Sequence, residues 1–505
     1  MNEINRLKYF ANGKWLESKT DKYMDIYDPS TGEVIAQTPC CTADEVNLAI
    51  ESTKNAFPGW SQTPAFKRSQ VLFNFRDLLI KNMDELTYIV TRENGKVWEE
   101  AKGDILKVKE PVEFACGIPN LMMGESMMNS STGYDTVLYY EPVGVFAGIV
   151  PFNFPGMIPM GWMASLCIAT GNTMVIKAAS MTPMTAMRLT ELWHEAGLPD
   201  GVLNLVTCTR NEAEIFLKHP DVRGISFVGS TSVGLHIYSA AAANGKRVQA
   251  LTEAKNHGLV LEDAVLERSA RGIINSAFGC AGQRCMALPT IVVQESIADR
   301  FVELLARYAK ELKIGPAYDK LSQLGPLVTD FHRQSVIRWI EKGVSEGAKL
   351  VIDGRNTTVK GYEGGFYLGP TIFDHVTTDM SVGNEEIFGP VLCIKRVRDF
   401  EEGIEMMNRS RYANGSVIYT QSGYYSREFV RRTHGGMVGI NVGIPVPVGT
   451  FPFTGHKDSF FGDLHALGRD GIRFYTETKA VTTTWFDESE RKKTRVDTWD
   501  GSVGG

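Results

Sequence analysis

Short β-branched runs alternate with helix-forming segments between Val143 and Gly229, and this alternation strongly limits how the chain can fold. Strands are predicted at 143–150, 172–177, 202–206 and 225–228, with helices at 155–170 and 183–196 between them. Such alternation is typical of a parallel sheet covered by helices on both faces. We therefore predict an α/β fold whose first sheet has a nucleotide-binding architecture.

The remaining sequence predicts a second unit of the same kind. Another alternating block runs from Lys255 to about Phe453. We assign residues 1–120 and 143–254 to a nucleotide-binding domain and 255–453 to a catalytic domain. The polar sequence at 491–505 is predicted to be a loose tail. For 505 residues, a prior of about three domains of roughly 150 residues each agrees with this division.

Composition excludes several classes of function. A net charge of -6 and a pI near 5.9 argue against a nucleic-acid surface. The apolar region 155–170 is shorter than the about 20 residues that cross a bilayer, so we predict a buried helix and no membrane partner. Eight cysteines without framework spacing indicate reduced thiols and a cytoplasmic protein. Cys40 and Cys41 fit no metal-ligand pattern, and no metal is expected.

Cys285 is the candidate nucleophile, in the segment Gly282-Gln-Arg-Cys285. Small neighbours let a substrate approach, and the cation of Arg284 is expected to favour the thiolate. The alternative is a buried packing thiol, which is how we interpret Cys280.

The segment around Cys285 and several separated motifs resemble the aldehyde dehydrogenase superfamily, from about Tyr9 to Trp485. Within it, Gly282-Gln-Arg-Cys-Met-Ala287 is most similar to the CoA-acylating methylmalonate-semialdehyde dehydrogenases. The resemblance implies two parallel-sheet α/β domains and a β oligomerisation arm made of 121–142 and 477–490. The arm is expected to pair with the late strand at 480–485 across a subunit interface, in a homodimer or homotetramer.

The resemblance also implies an oxyanion site. Asn153 lies in the loop Val150-Pro-Phe-Asn-Phe-Pro155, whose prolines stiffen the backbone. Its amide and the backbone N–H of Cys285 match the family's donors to the oxygen that becomes negative during attack. Without the resemblance, an asparagine in such a loop would be read as a turn residue.

NAD or NADP is the implied cofactor. The segment Phe227-Val-Gly-Ser-Thr-Ser-Val-Gly234 follows a strand and opens a helix, which can face a diphosphate while Ser230 and Thr231 cap it. The positions that match the family's cofactor-binding residues are Pro151, Phe152, Lys177, Ser180, Gly229, Ser230, Gly234, Leu251, Glu386 and Phe388.

Ser180 departs from relatives that prefer NAD. Three residues after Lys177 they usually carry a glutamate, which accepts the ribose hydroxyls and repels a 2′-phosphate. A serine removes that repulsion and can hydrogen-bond a phosphate. We therefore expect turnover with NADP as well as NAD.

A second departure concerns release of the acyl group. Hydrolytic relatives carry a base glutamate four residues before a lysine, and the matching position before Lys255 is Leu251. Leucine cannot activate water, so coenzyme A is the predicted acyl acceptor. The acylating group, however, usually has glycine where this chain has Glu253. In an extended strand residues 251 and 253 share a face, so Glu253 is a relocated base, a carboxylate near the nicotinamide or a surface charge.

The implied substrate is a short aldehyde that carries a carboxylate, held by Arg284 and Lys107. Lysine replaces the usual arginine at 107 and loses its bidentate fork, so the grip on a carboxylate should be looser. The loop 440–447 and residues 453–455 are expected to wall the substrate channel.

We therefore predict oxidation of methylmalonate or malonate semialdehyde to propionyl-CoA or acetyl-CoA, with loss of CO2, through a thioester on Cys285. The alternative is a hydrolytic dehydrogenase of another short semialdehyde with Glu253 as base. A catalytically silent binding protein on the same fold is the alternative from another class.

Overall fold

The computed structural model describes residues 4–485, and the polar tail predicted at 491–505 lies outside them. Its central feature is an eight-stranded sheet that contains the alternating block. With strands numbered in chain order, this sheet runs β2 (Lys14–Leu16), β1 (Tyr9–Ala11), β9 (Leu203–Val206), β8 (Thr173–Lys177), β7 (Val145–Ile149), β10 (Val222–Val228), β11 (Arg247–Leu251) and β21 (Phe460–Gly462). The neighbouring strands β9, β8, β7, β10 and β11 run parallel to one another, as predicted.

A second sheet has seven strands and lies later in the chain. In spatial order it contains β14 (Lys349–Ile352), β15 (Thr371–Asp374), β16 (Val391–Val397), β13 (Thr290–Gln294), β12 (His257–Val260), β18 (Gly415–Tyr419) and β19 (Met437–Ile440). All neighbouring pairs except β14 with β15 are parallel. The predicted α/β class with two parallel sheets is confirmed, whereas the domain limits drawn at 254 and 255 stay a prediction.

Helices cover both faces of the first sheet. In chain order, the α-helices of residues 4–485 as a whole are α1 (Ala43–Ser61), α2 (Ala65–Lys81), α3 (Met83–Asn94), α4 (Trp98–Cys116), α5 (Ile118–Leu121), α6 (Ser165–Ala169), α7 (Met184–Glu195), α8 (Arg210–Lys218), α9 (Thr231–Ala243), α10 (Leu266–Phe278), α11 (Glu295–Lys310), α12 (Asp330–Ser345), α13 (Phe400–Asn408), α14 (Gly423–Arg432) and α15 (Gly468–Phe474). Alternate residues of β7 show the two faces. Val145 and Ala147 join a core with α1, α8 and α9, and Phe146 joins one with α2, α4 and α7.

The region 155–170 forms the buried helix that the sequence predicts. Its first part, Met157–Ala164, has the wider turns of a π-helix and continues into α6. Every residue of both parts is buried. Among residues 4–485, no helix combines the length and apolarity that a bilayer crossing requires.

The arm is a three-stranded sheet of β22 (Thr476–Thr484), β6 (Tyr134–Pro142) and β5 (Ser126–Ser131). The expected pairing across a subunit interface is wrong for β22 and β6, which pair antiparallel within one chain. The side-chain amide of Asn172 explains this. It accepts from Gly144 N and donates to Tyr475 O, so the end of β6 and the start of β22 are held at one point. Residues 486–490 of the predicted arm lie outside the described residues.

Two small antiparallel sheets of two strands each complete the fold. They are β3 (Tyr23–Asp28) with β4 (Glu33–Pro39), and β17 (Tyr412–Ala413) with β20 (His456–Lys457).

Candidate active site

The candidate site lies between the carboxyl ends of strands in the first sheet and the amino ends of strands in the second sheet. Lys177, Gly229 and Leu251 stand at the carboxyl ends of β8, β10 and β11. Cys285 and Glu386 precede β13 and β16, at the amino ends of the second sheet. A carboxyl edge of parallel strands is the usual place for a dinucleotide, so the geometry brings a nucleotide-binding edge to the candidate nucleophile.

Asn153 is held in a loop that is anchored on several sides. Phe152 O accepts from Asn94 Nδ2 at 2.8 Å and from Thr182 Oγ1 at 3.0 Å. Asn153 is buried, and its amide nitrogen donates to Gln283 O at 3.1 Å. An amide nitrogen has two hydrogens, so this bond leaves one for another acceptor.

A buried ion pair supports the end of the same loop. Lys96 Nζ lies 2.9 Å from Asp104 Oδ2, and both side chains are almost fully buried. Asp104 Oδ1 accepts from Met157 N at 2.7 Å. The ammonium of Lys96 also lies 3.5 Å from the ring centroid of Phe154. The loop that carries Asn153 is therefore rigid.

The turn before the nucleophile has an uncommon backbone. Cys280, Ala281 and Gly282 have φ values of 54°, 52° and 72°, all in the left-handed region. A Cβ on Gly282 would lie 2.1 Å from Gly389 O, so only glycine fits there. The carboxylate of Glu100 anchors the turn by accepting from Cys280 N at 2.7 Å.

The peptide of Cys285 is fixed by two asparagines. Asn256 Nδ2 donates to Cys285 O and to Ala287 O, each at 2.8 Å, and Asn414 Nδ2 lies 3.3 Å from Cys285 O. Asn256 Oδ1 accepts from Gly415 N at 2.8 Å. These bonds set the direction of the Cys285 side chain.

Arg284 favours the thiolate of Cys285, as expected, but in the free protein other effects on the pKa of this thiol outweigh it. Burial raises the pKa of Cys285 to about 12, and the charge of Glu386 adds to the rise. Arg284 lowers this pKa by less. Its guanidinium is directed to the carbonyl oxygens of Asn275 and Ser276 at the end of α10. Burial raises the pKa of Cys280 to about 12 as well.

A cavity of about 430 Å³ opens beside Cys285. Its walls are mainly apolar, and the predicted late loop contributes Ile444, Val446 and Phe453. Lys107 and Arg284 both line it, as the sequence predicts, but each has other partners. Lys107 Nζ lies 2.8 Å from Glu110 Oε2, which also lines the cavity.

The aromatic and acidic residues predicted for the nicotinamide end come together. Phe152 and Phe388 meet edge to face with ring centroids 5.8 Å apart, and His332 packs against both. Phe388 has a φ of 61°, and its carbonyl oxygen lies 2.8 Å from His332 Nε2. Glu386 Oε1 accepts from Ala254 N at 3.1 Å, and burial raises the pKa of this carboxyl to about 8.

Helix α9 packs closely against the first sheet. A Cβ on Gly234 would lie 2.2 Å from Thr252 Cγ2, and one on Gly229 would lie 2.5 Å from the ring of Phe227. Gly234 is therefore needed for the close approach of α9, whereas Gly229 leaves room for the ring of Phe227. Ser180 is half-buried in the turn after Lys177, and burial lowers the pKa of Lys177. Pro151 lies two residues after Ile149, the last residue of β7.

The strand geometry that we assumed for Glu253 is wrong. Strand β11 ends at Leu251, because Thr252 N donates to Ser459 O and Ala254 N donates to Glu386. Leu251 is buried and packs in the same hydrophobic cluster as Cys285. Glu253 is half-buried, and its Oε2 accepts from Thr231 N at 3.1 Å.

The sequence predicts that the side chains of Ser230 and Thr231 cap α9, but the structure shows different contacts. Ser230 occupies the capping position, but its side chain makes no capping hydrogen bond. Thr231 Oγ1 lies 3.2 Å from Asp458 O instead. The carboxylate of Glu253 thus takes the capping role, and Glu253 is not a free surface charge.

Sequence reasoning missed several residues that hold the site together. They act through bonds to partners that are distant along the chain, and they are Asn94, Lys96, Glu100, Asp104, His332 and Asn414. The motif Ala254-Lys-Asn-His257 was a signal for Asn256, but its spacing did not indicate the bond to Cys285. Within residues 4–485, no group of three or more His, Cys, Asp or Glu side chains is placed to hold a metal.

Comparison with known sequences gives one consistent result. The model of the "Aldehyde dehydrogenase family" matches residues 15–481. Malonate-semialdehyde dehydrogenase 2 of Oceanobacillus iheyensis is 47% identical over 482 residues, which are 95% of this chain and 99% of that protein. Malonate-semialdehyde dehydrogenase 2 of Geobacillus kaustophilus is 48% identical over 482 residues, with the same coverage of 95% and 99%.

Solved structures agree with the sequences. A putative methylmalonate-semialdehyde dehydrogenase from Sinorhizobium meliloti, complexed with NAD, superposes with a TM-score of 0.95 at 41% identity. The match covers 96% of this chain and 99% of that one. Methylmalonate-semialdehyde dehydrogenase from Oceanimonas doudoroffii gives a TM-score of 0.95 at 39% identity, covering 97% and 100% of the two chains.

Proposed function

The chain belongs to the aldehyde dehydrogenase family, and from this premise we propose that it catalyses the NAD-dependent, CoA-acylating oxidation of a short semialdehyde. The relatives' names support malonate or methylmalonate semialdehyde as the substrate. The products would be acetyl-CoA or propionyl-CoA, with release of CO2.

One observation carries the proposal. Cys285 lies beside a cavity, and the residue at the position of the hydrolytic base is Leu251, which packs in the same hydrophobic cluster as the thiol. An apolar side chain cannot take a proton from water. An acyl group on Cys285 would therefore persist until a thiol nucleophile arrives.

In the first half of the reaction the Cys285 thiol gives its proton to solvent and its sulfur bonds to the aldehyde carbon. Asn153 has one amide hydrogen left for the oxygen that becomes negative, and the backbone N–H of Cys285 would be the second donor. When NAD is bound, it supplies the acceptor for the hydride that leaves this carbon. Cys285 then carries a thioester.

The second half transfers the acyl group. For a 3-oxo acid, the bond to the carboxyl carbon breaks and CO2 leaves, because the thioester carbonyl stabilises the enolate that forms. A proton then replaces the carboxyl group. The thiolate of CoA attacks the thioester carbon, the bond to Cys285 breaks, and Cys285 takes back a proton.

The residues present fit a nicotinamide dinucleotide. Lys177 and Ser180 follow one strand end, Gly229 and Ser230 follow another, and the glycine contacts of α9 bring that helix close to the sheet. The nicotinamide end of the dinucleotide would be held near Cys285 by Phe152, Glu386 and Phe388. Ser180 carries no negative charge, so we propose that NADP is accepted as well.

Substrate recognition is proposed to rest on Arg284 and Lys107. Both cations line the cavity, but Glu110 neutralises Lys107 and carbonyl oxygens occupy part of the guanidinium of Arg284. Attraction for a substrate carboxylate is therefore modest, and short aldehydes without one should also react.

Assembly and location are further parts of the proposal. Strand β22 is an edge of the arm sheet, and Met127, Met128 and Tyr139 expose apolar surface on the same arm. An exposed edge of this kind suits a homodimer or homotetramer. All eight cysteines are free thiols, which supports a cytoplasmic protein.

The test is rapid mixing of enzyme, NAD and malonate semialdehyde with and without CoA. We expect one equivalent of NADH per active site without CoA and steady turnover with it. The variant Cys285→Ala should give neither, and Cys280→Ala should behave as the unchanged protein. Steady release of free acid at the same rate without CoA would contradict acyl transfer.

A further inference from the structure

The carboxylate of Glu253 stands at the start of α9, where the proposed function places the diphosphate of the dinucleotide. Glu253 Oε2 accepts from Thr231 N at 3.1 Å. An N–H at the start of a long helix is a preferred donor to an anion, and a diphosphate would need the same donors. α9 has 13 residues, so its dipole is fully developed.

The contact between Glu253 and Thr231 is set by the fold, because hydrogen bonds also hold the backbone around Glu253. Ser459 Oγ donates to Glu253 O at 2.7 Å, and Thr252 Oγ1 lies 2.6 Å from Asp458 O. The close packing of Gly234 on Thr252 then fixes how far α9 stands from this segment. With its backbone held in this way, Glu253 lies beside the N–H of Thr231.

Other carboxyl groups lie in the same region as Glu253. The charge of Glu253 contributes to the raised pKa of Glu386, and the pKa of Tyr412 is raised by burial and by Glu253, Glu385 and Glu386. Arg411 is engaged with Glu385 at 2.8 Å. An incoming diphosphate would therefore meet the carboxylate of Glu253 at its own position, while Arg411 offsets the charge of Glu385.

We propose that Glu253 sets the affinity for the dinucleotide, because its carboxylate occupies a diphosphate donor of α9 and must leave before the cofactor binds. This inference rests on the proposed function. It makes Glu253 a competitor for the cofactor site and not the base of a hydrolytic reaction. Both oxidised and reduced dinucleotide are expected to bind weakly and to exchange rapidly.

The experiment measures NADH binding to Glu253→Gln, Glu253→Gly and the unchanged protein by fluorescence titration. We expect the dissociation constant to fall about three- to tenfold in Glu253→Gln, since one like charge is removed. A further decrease is expected in Glu253→Gly. The matched control is Glu385→Gln, which removes a carboxylate of the same region from Arg411 and should change the constant less than twofold.

Steady-state kinetics separate the possible results. The KM for NAD should fall in both Glu253 variants, while CoA-dependent kcat stays within about twofold. Unchanged or weaker NADH binding in both variants would overturn the inference. Loss of a CoA-independent turnover in Glu253→Gln, with unchanged NADH binding, would also overturn it and assign Glu253 as a base. If the unchanged protein and the variants neither bind NADH nor oxidise aldehyde, the proposed function itself fails.

Discussion

Asn256 Nδ2 lies 2.8 Å from the carbonyl oxygen of Cys285, so the side chain of one motif holds the backbone of the other. The same amide group also bonds Ala287 O and Gly415 N. Asn256 is therefore a positioning residue, which acts on the reaction through the direction of the Cys285 side chain.

The variant Asn256→Ala tests this position. It leaves two buried carbonyl groups with fewer donors, and unsatisfied buried groups cost about 1–3 kcal/mol each. We expect kcat to fall about ten- to a hundredfold and alkylation of Cys285 to slow with it. The control is Asn244→Ala, which removes an exposed asparagine that bonds only within its own helix end, to Ala240 O. Equal activity of the two variants would exclude the positioning role.

The protonation of Cys285 predicts how its reactivity depends on pH. Because its pKa is raised to about 12, the thiol is protonated at neutral pH in the free protein. Iodoacetamide labelling of Cys285, followed by peptide mass spectrometry, should accelerate about tenfold per pH unit between pH 7 and 9. NAD should increase the rate at constant pH, since its nicotinamide is cationic. A plateau below pH 8 without NAD would contradict this prediction.

Leu251 should control the choice between CoA and water. In Leu251→Glu a carboxylate takes the place of an apolar side chain in the hydrophobic cluster against which Cys285 packs. We expect steady NADH formation without CoA, measured by absorbance, together with lower thermal stability from the buried charge. Leu251→Gln is the matched control, because it has the same shape as the glutamate variant but no base. Equal CoA-independent rates in both variants would argue against a base at this position.

Glu110 should weaken the attraction for substrate carboxylates. It lies 2.8 Å from Lys107 Nζ within the cavity wall, so Glu110→Gln frees the ammonium. The KM for malonate semialdehyde should fall at least threefold, while the KM for propionaldehyde stays the same. Glu113→Gln breaks the pair with Lys109 on the same helix and serves as control. A parallel change of both KM values would show that the carboxylate is not the group recognised.

The buried side chain of His257 should make the folded protein less stable in acid. Burial lowers the pKa of His257 to about 3, and its Nδ1 lies 2.7 Å from Lys255 O. The unfolded chain binds a proton below about pH 6.5 and the folded chain does not, so stability falls as pH decreases from 6.5 to 3. The slope from this residue reaches about 1.4 kcal/mol per pH unit.

The check is the thermal midpoint at pH 5 and pH 7 for the unchanged protein and His257→Gln. The difference between the two pH values should be smaller in the variant. His375→Gln removes an exposed histidine and should keep the full difference. The same pH dependence in all three proteins would assign the acid effect to other groups.

Local pattern was enough to predict the two sheets, because strand and helix periods are properties of neighbouring residues. The predicted helix at 155–170 and the strand at 172–177 are found within a few residues of their limits. The candidate residues Cys285, Asn153 and Glu386 were proposed from motifs, and their roles stay predictions. Contacts between distant segments could not be predicted in this way.

Glu253 shows the reason most clearly. Its direction depends on Ser459 and Glu386, which end strand β11 by taking the N–H groups of Thr252 and Ala254. Nothing near residue 253 in the sequence indicates either partner. The pairing of β22 with β6 has the same origin, because an identical strand from another copy would satisfy the same sequence pattern.

The turn before Cys285 also limits how this enzyme could be redesigned. Gly282 touches the Gly389 carbonyl so closely that the nucleophile turn and the segment after Phe388 must change together or not at all. Directed evolution toward bulkier aldehydes should therefore succeed at Ile444 and Val446, whose side chains face the cavity from a separate loop. Libraries that randomise 280–283 should yield almost only inactive clones.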